Sequence, residues 1–234
     1  MAAIIRRELA AYFTSPIGYV YLGVFYLLSG YFFFGGVLMS QSSVMTPVFQ
    51  ALITLVMFLS PVLTMRLMSE DRRHRTDQAL LTAPISLGAI AAGKFLAAAV
   101  VYTAGISVTL VYALVISFFG SVNWAMVWGS YIGILLLGFS FIAMGQFISA
   151  LTENQAIAAI GAFVAVLACF LLDALPSIIP YPWLAAAIRG ISLIRRYTPI
   201  TNGILGISNL FFFVSVCGIF LFLTTRALEK RRWS

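Results

Sequence analysis

The chain has 234 residues, of which 62% are hydrophobic and only 9% are charged, and its formal net charge is +7. Apolar residues make up roughly half of an ordinary soluble domain, so this composition excludes that class and predicts an all-α protein embedded in a membrane. A helix needs about 20 apolar residues to cross a bilayer. Six runs reach that length and leave too few other residues for a second catalytic domain, so we expect one domain, residues 1–234. The runs are 17–39, 49–66, 94–119, 124–150, 155–175 and 204–226.

Residues 1–16 precede the first span and are predicted to form an amphipathic helix lying in the membrane interface. Ser15 and Pro16 should end this helix, because the residue before a proline disfavours the α conformation. The apolar side would carry Ile4, Ile5, Leu9, Tyr12 and Phe13, and the charged side would carry Arg6, Arg7 and Glu8.

The loop at residues 68–84, here called the charged loop, lies within a stretch (66–94) that holds eight of the 21 charged residues. Ser69 is a good helix N-cap, and Glu70 and Asp71 place negative charge in the first turn, so a helix is predicted over residues 70–82. Basic residues and the apolar Leu80 and Leu81 on one short helix suit docking into a groove on a partner protein. A helix resting on lipid headgroups is the alternative.

Two glycine patterns follow the charged loop. Residues 88–94 match the first seven positions of a phosphate-binding loop, but Phe95 stands where serine or threonine is needed and no strand precedes them, so nucleotide binding is not expected. Lys94 is instead predicted to reach outward at the entrance to the third span. In the fourth span, small residues at Gly129, Gly133 and Gly138 favour close helix packing.

The segment at residues 176–203 contains four prolines, which break its apolar stretches. Short external helices between spans five and six are therefore predicted, rather than a seventh span. Cys169 and Cys217 fall inside predicted spans and indicate neither a disulfide framework nor a metal site.

The positions of the basic residues explain the net charge. With the N-terminus inside, only Arg189, Arg195 and Arg196 lie outside, a clear positive-inside bias that predicts cytoplasmic termini and argues against nucleic-acid binding. The predicted cytoplasmic set is Arg6, Arg7, Arg66, Arg72, Arg73, Arg75, Lys94, Arg226, Lys230, Arg231 and Arg232.

The span centres contain no charged residue or histidine. A charge at the bilayer centre costs about 3 kcal/mol even on permissive scales and usually marks a function, so a proton-coupled transporter is disfavoured. The single histidine, His74, cannot supply paired haem ligands or the buried base of an intramembrane protease. These absences indicate a pore or scaffold with no energy-coupling site of its own. They favour a separate ATPase as the source of energy.

Three segments together resemble the ABC-2 class of transporter permease subunits, and within it the gliding-motility and nitrous-oxide-reductase-maturation branch. The first segment, residues 6–33, begins RRELAAYFTSPIG. The second, residues 68–94, reads MSEDRRHRTDQALLTAPISLGAIAAGK, and the third, residues 220–233, reads FLFLTTRALEKRRW.

The resemblance implies a non-catalytic half-transporter in the bacterial cytoplasmic membrane, usually an exporter. Its partners would be a second permease subunit, identical or different, and a cytoplasmic ABC ATPase that binds ATP and Mg²⁺, while this chain would hold no cofactor. Residues 4–14 would be the interface helix and residues 70–81 the coupling helix. The implied ATPase contacts are Arg7, Glu8, Glu70, Asp71, Arg72, Arg75, Thr76, Leu80 and Leu81.

A second function stays open at this point. The subunit could be a membrane scaffold that relays ATPase-driven movement to an external protein without moving any solute, in which case residues 176–203 would be the contact.

Overall fold

The computed structural model describes residues 1–41, 43–73, 86–201 and 206–232. Regular structure within these ranges is helical and contains no β-strand, which confirms the predicted all-α class. A π-helical stretch, Phe34–Leu38, prolongs α2, and a 3₁₀ turn, Leu175–Ser177, follows α8. The α-helices are α1 (Ala2–Thr14), α2 (Pro16–Phe33), α3 (Thr46–Thr64), α4 (Ser69–Arg73), α5 (Leu87–Ile106), α6 (Val108–Phe119), α7 (Trp124–Leu151), α8 (Gln155–Ala174), α9 (Pro182–Ile191), α10 (Leu193–Thr201) and α11 (Ile207–Arg232).

Six helical segments are long and apolar enough to cross a membrane, as predicted. The third of them starts at Leu87, whereas the sequence pattern placed its start at residue 94. The Ser86 side chain accepts a hydrogen bond from the Ala89 amide and so caps the helix at this earlier point. The segments are Pro16–Leu38, Thr46–Arg73, Leu87–Phe119, Trp124–Leu151, Gln155–Ser177 and Ile207–Arg231.

The predicted N-terminal helix is present as α1 and ends at Thr14. Ser15 has an extended backbone and Pro16 occupies the first turn of α2, as the sequence predicted. Helix α1 packs against α5 and α2, and it buries Ile4 and Tyr12. It therefore forms part of the bundle at the point where the chain enters its first span.

Helix α7 is the centre of the bundle and packs against α3, α5, α8, α10 and α11. The three glycines predicted to allow close helix packing, Gly129, Gly133 and Gly138, are all buried on it. A methyl group at Gly138 would overlap the ring of Tyr102, and one at Gly133 would lie 3.0 Å from side-chain atoms of Ile200 and Tyr197. At these two positions a side chain from α5 or α10 occupies the space that a larger residue would need.

The two ends of the bundle differ in charge. One, here called the charged end, brings together α1, α4, the start of α5 and the turn between α7 and α8. The other, the opposite end, carries the loop between α6 and α7 together with α9 and α10. The predicted external segment is thus built from two short helices, and Asp173 at the end of α8 contacts both Ser192 and Arg195 there.

Candidate functional site

A buried lysine organises the charged end. Lys94 lies two turns into α5 with 2% of its side chain exposed, so the prediction that it reaches outward at the span entrance is wrong. The physical reason is the earlier start of α5, which moves this position inside the packed end of the bundle. A buried ammonium is tolerated when it is paired and its hydrogen bonds are satisfied.

The partners of Lys94 come from three separate parts of the chain. Its Nζ atom lies 3.1 Å from Glu8 Oε1 on α1 and 2.5 Å from Asp71 Oδ2 on α4. It also donates a hydrogen bond of 2.5 Å to the carbonyl oxygen of Leu67, just beyond α3. An ammonium has three N–H donors, and these three acceptors match them. Lys94 thus joins α1, α4 and the end of α3 to α5.

Arg7 completes this group, here called the Lys94 cluster (Arg7, Glu8, Asp71 and Lys94). Its guanidinium lies 2.5 Å from Glu8 and 3.2 Å from Asp71, and its side chain is 46% exposed. Burial works to lower the pKa of Arg7, but the two carboxylates together outweigh it and leave the pKa raised. Two cations therefore balance two anions, so no charge buried in the cluster is left without compensation.

A second set of contacts fixes the junction between α1 and α2 against the end of α3. Arg66 pairs with Glu70 at 2.6 Å, donates to Ser15 Oγ at 2.5 Å and lies over the ring of Tyr12. The Tyr12 hydroxyl in turn donates to the carbonyl oxygen of Leu63 at 2.7 Å. Burial raises the pKa of Tyr12, so the phenol stays a neutral donor. The loop root, here meaning residues 66–73, and the end of α3 are therefore each bonded to the segment where α1 ends.

A third set of contacts ties the start of the charged loop to α7. The Ser149 hydroxyl accepts hydrogen bonds from the backbone amides of Met68 and Ser69, both at 3.1 Å, and donates to the carbonyl oxygen of Met65. Arg72 donates to the carbonyl oxygen of Ala150 at 2.7 Å. The first turn of the charged loop is thus attached to the central helix as well as to α1 and α5.

The structure describes five of the nine residues that the resemblance implied for ATPase docking: Arg7, Glu8, Glu70, Asp71 and Arg72. All five make polar contacts within the chain. The side chains of Glu8 and Asp71 point inward, with 12% and 17% exposure, whereas Arg7 and Glu70 keep more of their surface open. The other four, Arg75, Thr76, Leu80 and Leu81, and most of the predicted helix at 70–82, lie outside the described residues.

Sequence reasoning missed the residues that hold the loop root in place. Lys94, Arg66 and Ser149 were not predicted to contact the charged loop, and Tyr12 was assigned only to an apolar face. One usable signal existed, since Glu8 and Asp71 add negative charge to an end dominated by basic residues. These two carboxylates predict ion pairs within the charged end, but they do not identify the cation with which each one pairs.

The charged end offers no metal centre in the part of the chain described. No three histidine, cysteine, aspartate or glutamate side chains there are close enough to hold a metal ion together. Residues 88–94 lie inside α5 and are helical, so they do not form the loop that cradles a phosphate. What this arrangement provides is mechanical: the described start of the charged loop, residues 68–73, is bonded to α1, α5 and α7.

Two comparisons with known proteins bear on this site. The sequence model of the ABC-2 type transporter family matches residues 1–212, a range that includes α1, the charged loop and Lys94. No curated protein matches the chain.

Proposed function

The chain belongs to the ABC-2 type transporter family, and we propose that it is an exporter subunit whose charged loop is moved by a separate cytoplasmic ATPase. The family match covers nine-tenths of the chain and makes it a membrane permease subunit. The ATPase, the direction of transport and the cytoplasmic location of the charged end are parts of the proposal. So is the assignment to the gliding-motility and nitrous-oxide-reductase-maturation branch.

The observation that carries the proposal is the attachment of the loop root at three points. A force applied to residues 74–85 reaches the spans through residues 66–73 on one side and through Ser86, at the start of α5, on the other. Those residues are bonded to α5 by Asp71 and Leu67, to α7 by Arg72 and the Ser149 contacts, and to α1 by Asp71 through Arg7. Hydrogen bonds and ion pairs to three helices resist sliding of residues 66–73, so these residues and the three helices would move as one body.

Under this proposal, the nine residues implied for ATPase docking divide into two groups. Glu8 and Asp71 would act through the Lys94 cluster, because their side chains face inward. Arg7 and Glu70, which keep exposed surface, would touch the ATPase together with Arg75, Thr76, Leu80 and Leu81. Arg72 would serve chiefly to anchor the loop on α7, since its guanidinium contacts the Ala150 carbonyl.

The remaining partners follow from the family. A second permease subunit, identical to this chain or related to it, would complete the path between the two halves, and ATP and Mg²⁺ would bind only to the ATPases. The excess of basic residues at the charged end supports a cytoplasmic position for that end and for both termini, in the bacterial inner membrane.

The proposal is tested by purifying the tagged chain from native membranes in mild detergent and assaying ATPase activity in what accompanies it. A nucleotide-binding subunit should accompany the wild-type chain in fixed ratio, and the double variant Glu70→Arg with Leu80→Asp should lose it. Arg189→Glu, a charge reversal on an exposed residue of the opposite end, is the matched control and should retain it. An intact complex in the double variant would contradict docking through the charged loop.

A scaffold function without solute transport is favoured by one observation at the opposite end. Ile178, Trp183 and Ile191 in and beside α9 expose 67–77% of their surface. An external protein that binds α9 would cover them. ATP-dependent flux of a solute in proteoliposomes of the complex would exclude the scaffold function. Stoichiometric recovery of an external protein that Trp183→Ser abolishes, with no flux, would favour it.

A further inference from the structure

The outward side of α1 carries a groove that no part of the described chain fills. It has a volume of about 450 Å³, and all but one of its lining residues are apolar. This side is distinct from the one that buries Ile4 and Tyr12 and carries Glu8 toward Lys94. The lining residues are Ala2, Ile5, Arg6, Leu9, Ala10 and Phe13.

Arg6 is the single charge at this groove, and its situation differs from that of its neighbour. Arg7 is engaged by Glu8 and Asp71. Arg6 is exposed, and in residues 1–41, 43–73, 86–201 and 206–232 it has neither an ion-pair partner nor a hydrogen-bond acceptor for its guanidinium. A free guanidinium beside an apolar groove is complementary to a ligand with an anionic head and an apolar body.

The groove continues onto the outer surface of the first membrane span. The ring of Phe13 meets the ring of Tyr19 edge-to-face, with centroids 5.6 Å apart, across the break at Ser15 and Pro16. Beyond Tyr19, α2 keeps Val20 and Leu27 exposed. Since α2 is apolar enough to cross the bilayer, this exposed surface would face acyl chains in the membrane, and α1 at its end would lie at the level of the headgroups.

We propose that this groove binds an anionic phospholipid. The phosphate is held by Arg6, and the upper part of the acyl chains lies along Ile5, Leu9 and Phe13 and continues beside α2. A zwitterionic lipid would fill the apolar part equally well, but the net negative charge that complements Arg6 is absent from it. Helix α1 therefore binds lipid on its outward side, while on its inward side it contributes Glu8 to the Lys94 cluster.

The experiment measures the selectivity of the whole chain for lipids in reconstituted vesicles. Spin-labelled phosphatidylglycerol and spin-labelled phosphatidylcholine with identical acyl chains are compared by the fraction of each that the protein immobilises. We expect a preference for phosphatidylglycerol that Arg6→Gln reduces about fivefold, the effect of ~1 kcal/mol for one basic residue near the membrane surface. Arg73→Gln removes an equal charge at the same end but away from the groove, and the preference should persist.

A second variant separates the groove from general surface charge. Leu9→Gln should lower the retention of both lipids by a similar factor while leaving their ratio unchanged, because it makes the apolar lining polar and keeps Arg6 in place. Equal immobilisation of the two lipids by the wild-type chain would overturn the proposal, and so would an unchanged preference in Arg6→Gln. Loss of ATPase co-purification in Arg6→Gln with unaltered lipid selectivity would assign the groove to the protein partner instead. Lipid selectivity is measured without the ATPase, so its failure leaves the proposed function untouched.

Discussion

Paired charges lie at both ends of the bundle, but water reaches them to different extents. In the Lys94 cluster the lysine is 2% exposed and its carboxylate partners are 12% and 17% exposed. At the opposite end Asp173 and Arg195 lie 3.0 Å apart with 26% and 42% exposure. Screening makes an exposed pair worth little, whereas breaking a buried pair leaves a charge without compensation. The charges of Lys94, Glu8 and Asp71 therefore cannot be altered singly without a large cost, and those of the opposite end can.

The two groups of charges also differ in the sequence separation of the helices that they join. The Lys94 cluster joins α1, α4 and α5, which are far apart in sequence, while Asp173 joins the end of α8 to the nearby α10. A contact between distant segments fixes how whole helices sit against each other. A local contact only shapes one corner of the fold.

Lys94→Met should have the largest effect on stability. It leaves Glu8 and Asp71 together without their buried cation, so we expect a loss of about 3 kcal/mol. For a chain of this size that corresponds to a fall of about 6–12 °C in the apparent Tm, measured by thermal unfolding in detergent. The neutral triple variant Glu8→Gln, Asp71→Asn, Lys94→Met should recover more than half of the loss. A triple variant no better than the single one would mean that charge pairing is not the cause.

Ser149→Ala should come next, because it removes the acceptor shared by the backbone amides of Met68 and Ser69. Leaving buried donors without partners costs about 1–2 kcal/mol, so the apparent Tm should fall by a few degrees. Ser215→Ala is the control: Ser215 is exposed and its hydroxyl bonds only to its own helix at Phe211. Equal shifts in both variants would show that the tie between the charged loop and α7 contributes nothing.

Asp173→Asn tests the opposite end directly. The amide still accepts from Ser192, but the attraction to Arg195 is lost, which for a partly exposed pair amounts to at most about 1 kcal/mol. High salt should reduce the difference in apparent Tm between Asp173→Asn and the wild type, because counterions screen the attraction within an exposed pair. The effect of Lys94→Met should resist salt. A loss for Asp173→Asn as large as that for Lys94→Met would remove the distinction between the two ends.

Glu153→Gln should have the smallest effect. Glu153 pairs with Arg231 at 2.8 Å at the charged end, but its side chain is 65% exposed. A pair so open to water is expected to contribute less than about 0.5 kcal/mol, so the Tm curve should overlay that of the wild type. A shift of several degrees would show that location at the charged end matters more than burial.

Composition and apolar run length sufficed to predict the all-α class, the six spans and the short helices between spans five and six. These features depend on local physics: each span must be apolar over a fixed length, and proline favours helix starts and breaks, as Pro16 does at the start of α2 and Pro182 at the start of α9. The start of α5 was missed because the small residues at 87–93 are less apolar than a typical span, yet they support a helix once Ser86 caps it.

The arrangement of the charged end could not be read from the sequence. Residues 8, 71 and 94 meet only when α1, the loop root and α5 are packed together, and no spacing rule relates them. The same charges would look identical on an open surface. Sequence reasoning therefore assigned Glu8 and Asp71 to an outward docking face, while the fold turns them toward Lys94.

In the proposed function the Lys94 cluster transmits movement from the charged loop to the rest of the bundle. The most direct measurement uses spin labels at two exposed positions of the opposite end, Ser121→Cys and Arg189→Cys, with Cys169 and Cys217 replaced by alanine. Double electron–electron resonance then records the distance between them in the ATPase complex, with and without ATP and vanadate. We predict that nucleotide shifts this distance with the cluster intact, and that the neutral triple variant keeps its ATPase but loses the shift. The same shift in the triple variant would show that the Lys94 cluster does not transmit the movement.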